Sequence, residues 1–242
     1  MKVAVVDSFL PSQTLTTKWL KHQPGMQLLF TAKNGQHFLQ QLNKQKEVPD
    51  IVIADIRMRI MDGCSLAYYI KFHHPPIKLI AFSGYVEPMV INTAFASGFD
   101  AYIAKGNGWE TALQEAITRV ANGYCHLDTR LEKEIDAQAF RSILNNREKF
   151  WKQISEGESE GEGEYNLSKR EKTFIILNAT AMSYKEIAEV MHVDKRTIET
   201  MYSRISKKVR VTSNKELALF AIQSGMAIQA NFTPFEEQQK AG

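Results

Sequence analysis

The chain has 242 residues, 44% of them hydrophobic and 24% charged, with a formal net charge of +3; that length can build two small cores. No apolar run approaches the ~20 residues that span a bilayer, and the stretch at 3–6 is too short for a signal peptide and ends at Asp7. Two cysteines, Cys64 and Cys125, suit neither a disulfide framework nor a metal-ligand spacing, so the expectation is a reducing, cytoplasmic setting away from membranes.

Five short aliphatic runs, 3–6, 28–30, 51–54, 79–82 and 101–103, alternate with segments of helical length such as 63–73 and 86–97. Strands separated by helices need crossover connections, which predicts a mostly parallel sheet covered on both faces. Five such units within 1–122 predict an α/β domain with a flavodoxin-like, doubly wound, five-stranded parallel sheet. Further on, Leu131, Ile135, Ala139 and Ile143 recur every four residues, and Phe140, Leu144, Trp151 and Ile154 add apolar weight. That pattern predicts a helix over 128–154, either a connecting helix packed on the first domain or a dimerisation helix. Residues 156–164 alternate Glu with Gly and Ser and contain nothing apolar. Such a run cannot pack, so 123–165 is read as a connecting helix followed by an acidic, flexible linker.

Beyond the linker the chain is basic and has no strand pattern. Ser-x-x-Glu occurs at Ser168/Glu171, Ser183/Glu186 and Ser213/Glu216, each a capping box that predicts a helix start. Asp194 is a fourth N-cap candidate. Four short helices predict a small all-α domain over 166–228, with a frayed tail at 229–242. From Asp194 to Val209, Ile198, Tyr202, Ile205 and Val209 form one apolar stripe. The opposite face carries Lys195, Arg196, Glu199, Thr200, Ser203 and Lys207. A helix of this kind can enter a DNA major groove, with basic ends on phosphates and central side chains at base edges. Glu199 would repel phosphate but can accept from cytosine N4. Lys185 and Lys208 are candidate backbone contacts. In the last helix Leu217, Ala218, Ala221 and Ile222 share one side, suited either to the core or to a dimer contact.

In a doubly wound sheet, ligands bind outside the carboxyl ends of the strands. Asp7-Ser8, Asp55, Ser83 and Lys105 stand there, at the ends of four predicted strands. With the segment Asp55-Ile-Arg-Met-Arg-Ile-Met-Asp-Gly63 and Tyr102, they resemble the receiver domain of response regulators over residues 1 to about 122. Leu167-Ser-Lys-Arg-Glu171, Met182-Ser-Tyr-Lys-Glu-Ile-Ala188 and Val193-Asp-Lys-Arg-Thr-Ile-Glu-Thr200 resemble the LuxR/NarL-type helix-turn-helix. That second resemblance departs from the family at Ala181, usually Gly, and at Met201, often His.

The resemblance implies that Asp55 accepts a phosphoryl group as an acyl phosphate. Ser83 and Lys105 would contact that group, and Tyr102 would be the switch aromatic that rotates inward. It implies Mg²⁺ held by Asp7, Asp55, Ser8 and the Arg57 backbone carbonyl. Ser8 replaces the family's second acid, which removes a negative charge and weakens that metal site; Arg59 replaces a usual proline. The implied protein is a transcription regulator rather than an enzyme. It would bind double-stranded DNA as a homodimer, with phosphorylation by a sensor histidine kinase controlling dimerisation and promoter binding. The alternative, supported by Ser8, is a phosphorylation-independent regulator whose receiver is a protein-binding or dimerisation module. An enzyme using Asp55 on a small substrate fits poorly, because no cap domain would enclose the substrate and the helix-turn-helix would be unexplained.

Overall fold

The computed structural model describes residues 1–156, 165–224 and 226. The chain divides into two compact units, Met1–Lys149 and Phe150–Gly242. The first holds a parallel sheet of β1 (Lys2–Val6), β2 (Gln27–Ala32), β3 (Ile51–Ala54), β4 (Lys78–Ser83), β5 (Ala101–Ala104) and β6 (His126–Leu127). Their order is β2-β1-β3-β4-β5-β6, the doubly wound 2-1-3-4-5 arrangement with one strand added at the β5 edge. Every residue of β3 and β5 is buried, which is why these strands read as unbroken apolar runs and not as alternating patterns. Val3, Val5, Ile53, Ile80, Ile103 and Leu113 join one core cluster, and each such side chain contributes about 1.5–3 kcal/mol on burial.

The crossovers are α1 (Leu10–Lys21), α2 (Gly35–Leu42), α3 (Gly63–His73) and α4 (Pro88–Ser97), and α5 (Trp109–Ala121) follows β5. Local chemistry sets their starts. Asn34 caps α2 through His37 N–H, and Asp62 caps α3 through Ser65 N–H at 2.8 Å. Pro88 opens α4, and Gly98, at φ 113°, closes it.

The sheet has six strands where the aliphatic runs predicted five. β6 is only two residues long, too short to carry a periodic signal. The segment expected to be one helix over 128–154 is instead a 3-10 turn at Thr129–Leu131 followed by α6 (Ala137–Glu156). Leu131 and Ile135 are buried ahead of α6, so the first two apolar repeats pack from non-helical chain. Phe140 lies edge-on to Phe95 of α4 at 5.1 Å. Arg147 donates to Asp100 Oδ1 at 2.8 Å, while Lys71 holds Oδ2 at 2.9 Å.

The second unit contains α7 (Lys169–Asn178), α8 (Tyr184–Met191), α9 (Lys195–Val209) and α10 (Asn214–Gln223). Ser168/Glu171 and Ser183/Glu186 form complete capping boxes. The third is half formed: Ser213 accepts from Glu216 N–H, but the Glu216 carboxylate turns to Thr212 N–H at 2.6 Å. The acidic linker at 157–164 and the tail from residue 227 lie outside the described residues.

Gly63 shows how tightly the loop after β3 is built. Its N–H donates to Ile56 O at 2.8 Å, and a Cβ there would lie 2.1 Å from the Asp55 carbonyl oxygen. Backbone is the obstacle, so no rotamer change relieves it. Gly63→Ala is expected to destabilise the first unit by about 3 kcal/mol or more, read from urea unfolding. A cost below about 1 kcal/mol would mean that the loop shifts freely.

Candidate functional site

Parallel registers align the strand ends: Val6 pairs with Ala54, Ala54 with Ala81, and Ser83 with Ala104. The residues that follow therefore emerge at one edge, where the order reverses between β1 and β3. Lys105 Nζ donates to Asp7 Oδ2 at 2.8 Å and to Asp55 Oδ2 at 3.1 Å. The other oxygens are also held: Asp7 Oδ1 accepts from Phe9 N–H and Asp55 Oδ1 from Ile56 N–H, each at 2.8 Å. Both acids are buried, Asp7 at 4% and Asp55 at 9% exposure. Burial raises the Asp55 pKa above the usual aspartate value, and Asp7 pushes the same way against the opposing Lys105 ammonium.

Ser83 is fully buried, its Oγ 3.4 Å from Tyr85 N–H. Tyr102 is also fully buried, and its hydroxyl donates to Tyr85 O at 2.6 Å. The ring thus points inward, held by the loop that follows β4. Arg57 is exposed and lies 3.6 Å over the Tyr85 ring. Tyr85 links these two groups and was missed in the sequence, because it lies in a loop without a motif. Ile60, in the loop after Asp55, has φ 72°, a strained value for a β-branched residue. It follows Arg59, where the receiver pattern has proline.

Ser8 is exposed and supplies a hydroxyl. Among the described residues no cluster of three or more His, Cys, Asp or Glu could hold a metal ion. Two carboxylates nevertheless converge on a single cation. Mg²⁺ keeps several waters and commonly uses one or two carboxylates, so Asp7 and Asp55 fit it, with one charge fewer than a three-acid set.

In the second unit, Asp194 caps α9 through Thr197 N–H at 2.6 Å. The left-handed His192, at φ 53°, makes the turn from α8 into α9. Ile198, Met201, Ile205 and Val209 are buried, so Met201 joins the stripe and Tyr202 is only half-buried. Lys195, Arg196, Glu199, Thr200, Ser203 and Lys207 are exposed, as is Lys185 on α8. Glu199 pairs with Lys195 at 3.3 Å, which tempers its repulsion of phosphate. Lys208 is differently placed: its ammonium donates to Glu171 Oε2 at 3.0 Å and to Asn166 O at 2.9 Å. Arg204, not singled out from the sequence, lies on the open face four residues beyond Thr200, with its Nε 3.1 Å from Glu171 Oε1.

Residues 3–118 match the family model of the response regulator receiver domain, and residues 165–221 match that of the bacterial regulatory proteins of the luxR family. The chain belongs to the response regulators with a LuxR-type DNA-binding domain. Response regulators of this kind are DNA-binding transcription regulators. The chain is 24% identical to the response regulator protein VraR of Staphylococcus saprophyticus, over 93% of this chain and 98% of that one. It is 28% identical to the transcriptional regulatory protein LnrK of Bacillus subtilis, over 84% and 88%. Among solved structures it resembles the isolated REC domain of RcsB from Salmonella enterica serovar Typhimurium with the phosphomimetic BeF3⁻. That match has a TM-score of 0.51 and 19% identity, over 56% of this chain and 99% of that one. A structure of two RcsB dimers bound to two parallel DNAs matches at TM-score 0.50 and 18% identity, over 93% and 98%. These two likenesses show the fold. None of the described helices is long and apolar enough to cross a membrane.

Proposed function

We propose that Asp55 accepts a phosphoryl group and that this modification strengthens promoter binding by the C-terminal domain as a homodimer. The observation that carries the reading is Lys105 bridging Asp7 and Asp55 at 2.8 and 3.1 Å. Phosphoryl transfer is mostly positioning and charge neutralisation. Asp55 forms the new O–P bond as the donor's bond to phosphorus breaks, and the electron pair leaves with the donor, a kinase phosphohistidine in the cell. Lys105 would face the charge that develops, and Ser83 would donate to the phosphoryl oxygens. Mg²⁺ would be held by Asp7, Asp55 and the Arg57 carbonyl, and when bound it supplies further positive charge at those oxygens. Arg196, Thr200, Ser203 and Lys207 would meet DNA, with Lys185 and Lys195 on phosphates and Glu199 at a base edge; Lys208 borders the same face, its ammonium held by Glu171. The dimer reading is supported by the RcsB dimers on DNA.

A second reading, a regulator independent of phosphorylation, is favoured by Ser8, an exposed hydroxyl where the receiver pattern has a second acid. DNA binding by the intact chain before and after acetyl phosphate with Mg²⁺ separates the two. Affinity is expected to rise about tenfold, and Asp55→Asn to abolish the rise. Equal affinity with and without donor would discard the phospho-switch and leave the receiver as a protein-binding module.

A further inference from the structure

Lys105 reaches the site from β5, but the backbone just ahead of it is gripped from outside the five-strand repeat. After α5 the chain runs along the β5 edge as β6, where His126 N–H donates to Asp100 O and Asp128 N–H to Tyr102 O, each at 3.0 Å. Asp128 is fully buried, and its Oδ2 accepts from Ala104 N–H at 3.0 Å. Arg130 closes on both oxygens of Asp128 and extends its guanidinium to Ala104 O at 2.6 Å and to Asn107 O at 2.5 Å. Both backbone groups of Ala104 are therefore held by one ion pair. The next residue is Lys105, whose N–H is fixed on the opposite side by Ser83 O at 2.8 Å.

We propose that Asp128 and Arg130 are a positioning pair that sets where Lys105 delivers its ammonium, so that the segment following α5 tunes phosphorylation of Asp55. The inference rests on the reading of Asp55 as phosphoacceptor. Gly106 and Gly108 have φ values of 133° and 76°, in a region where glycine adds no stiffness of its own. The loop from Ala104 to Asn107 therefore takes its shape from the guanidinium that spans its two carbonyls. Lys105 Nζ meets both acids at hydrogen-bond distance, 2.8 and 3.1 Å, so a shift of the backbone that carries it favours one acid over the other. Asp128 lies under Arg130 with none of its side chain exposed. Breaking the clasp releases the loop without touching either acid.

The test uses the full chain and measures the labelling rate at saturating acetyl phosphate and Mg²⁺, together with the side-chain ¹⁵N resonance of Lys105, assigned with Lys105→Arg. Arg130→Ala is expected to slow labelling about tenfold and to shift or broaden the Lys105 resonance without donor. Arg147→Ala removes a contact to Asp100 and Cys125 at the far end of β5 and β6, away from Ala104 and Lys105, and is expected to label within about twofold of wild type. Arg130→Lys keeps the charge but cannot span both carbonyls. It should also label slowly, and it carries the test if Arg130→Ala melts below the assay temperature. Wild-type labelling in both Arg130 variants with an unmoved resonance would overturn the proposal. If the wild-type chain takes no label, the phosphoacceptor reading fails, and the resonance alone then decides the positioning role.

Discussion

Lys105→Met is expected to cut the rate at which acetyl phosphate labels the receiver by about 100-fold, the cost of deleting one preorganised charge at a phosphoryl or oxyanion site. Lys105 is the cation that both Asp7 and Asp55 share. Without it two buried carboxylates face each other. Burial already raises the Asp55 pKa and Asp7 adds to that, with Lys105 opposing both. In the variant the carboxyl should hold its proton to higher pH, and a protonated carboxyl is a poor nucleophile. The stability consequence has a definite sign. A carboxyl whose folded pKa lies above its unfolded value contributes stability that is full below the unfolded value and is lost as pH rises through the folded one. As pH rises above the ordinary aspartate value of 3.8 the receiver of Lys105→Met should therefore lose stability more steeply than wild type, and Lys105→Met/Asp55→Asn should lose less. Urea midpoints across that range check the slope. A parallel pH profile, or labelling within about threefold of wild type, would discard this role for Lys105.

The parts of this molecule legible in the sequence are those in which one residue type has one physical use. Aliphatic runs such as Ile51–Ala54 mark strands buried on both faces. Asp7, Asp55, Ser83 and Lys105 could be gathered in advance because parallel strands all release their chemistry at the same edge. Ser168 and Ser183 announced their helices because a capping box is local. What escaped notice depends on contacts distant in sequence. β6 is two residues that need the β5 edge to exist. Asp128 and Arg130 look like ordinary surface charges until Ala104, more than twenty residues earlier, offers both backbone groups. The inward Tyr102 depends on the carbonyl of Tyr85. Lys208 matched the pattern of a phosphate contact, and only the fold brings Glu171 beneath it.

Glu171→Ala is expected to destabilise the C-terminal domain by about 3 kcal/mol, near the lower end for breaking a buried ion pair because Lys208 and Arg204 still reach solvent. The carboxylate is 2% exposed and ties the start of α7 to the last turns of α9. Its Oε2 accepts from Ser168 N–H at 2.9 Å, Ser168 Oγ at 3.0 Å and Lys208 Nζ at 3.0 Å. Burial alone would raise its pKa. Hydrogen bonds from Ser168 and Lys208 outweigh that and hold it below the ordinary glutamate value of 4.5. The contribution is thus present above the unfolded value and is lost as pH falls through the folded one, so the domain should weaken on acidification below about 4.5. Glu171→Gln keeps the shape, removes the charge and should flatten that acid limb. It also frees Lys208 and Arg204 for phosphate, so the slope of log affinity for DNA against log salt should steepen by about one unit for each cation released. A variant with wild-type stability would show that the pair adds nothing to the fold. A destabilised variant with an unchanged salt slope would show that both cations stay away from the backbone of DNA even when they are free to reach it.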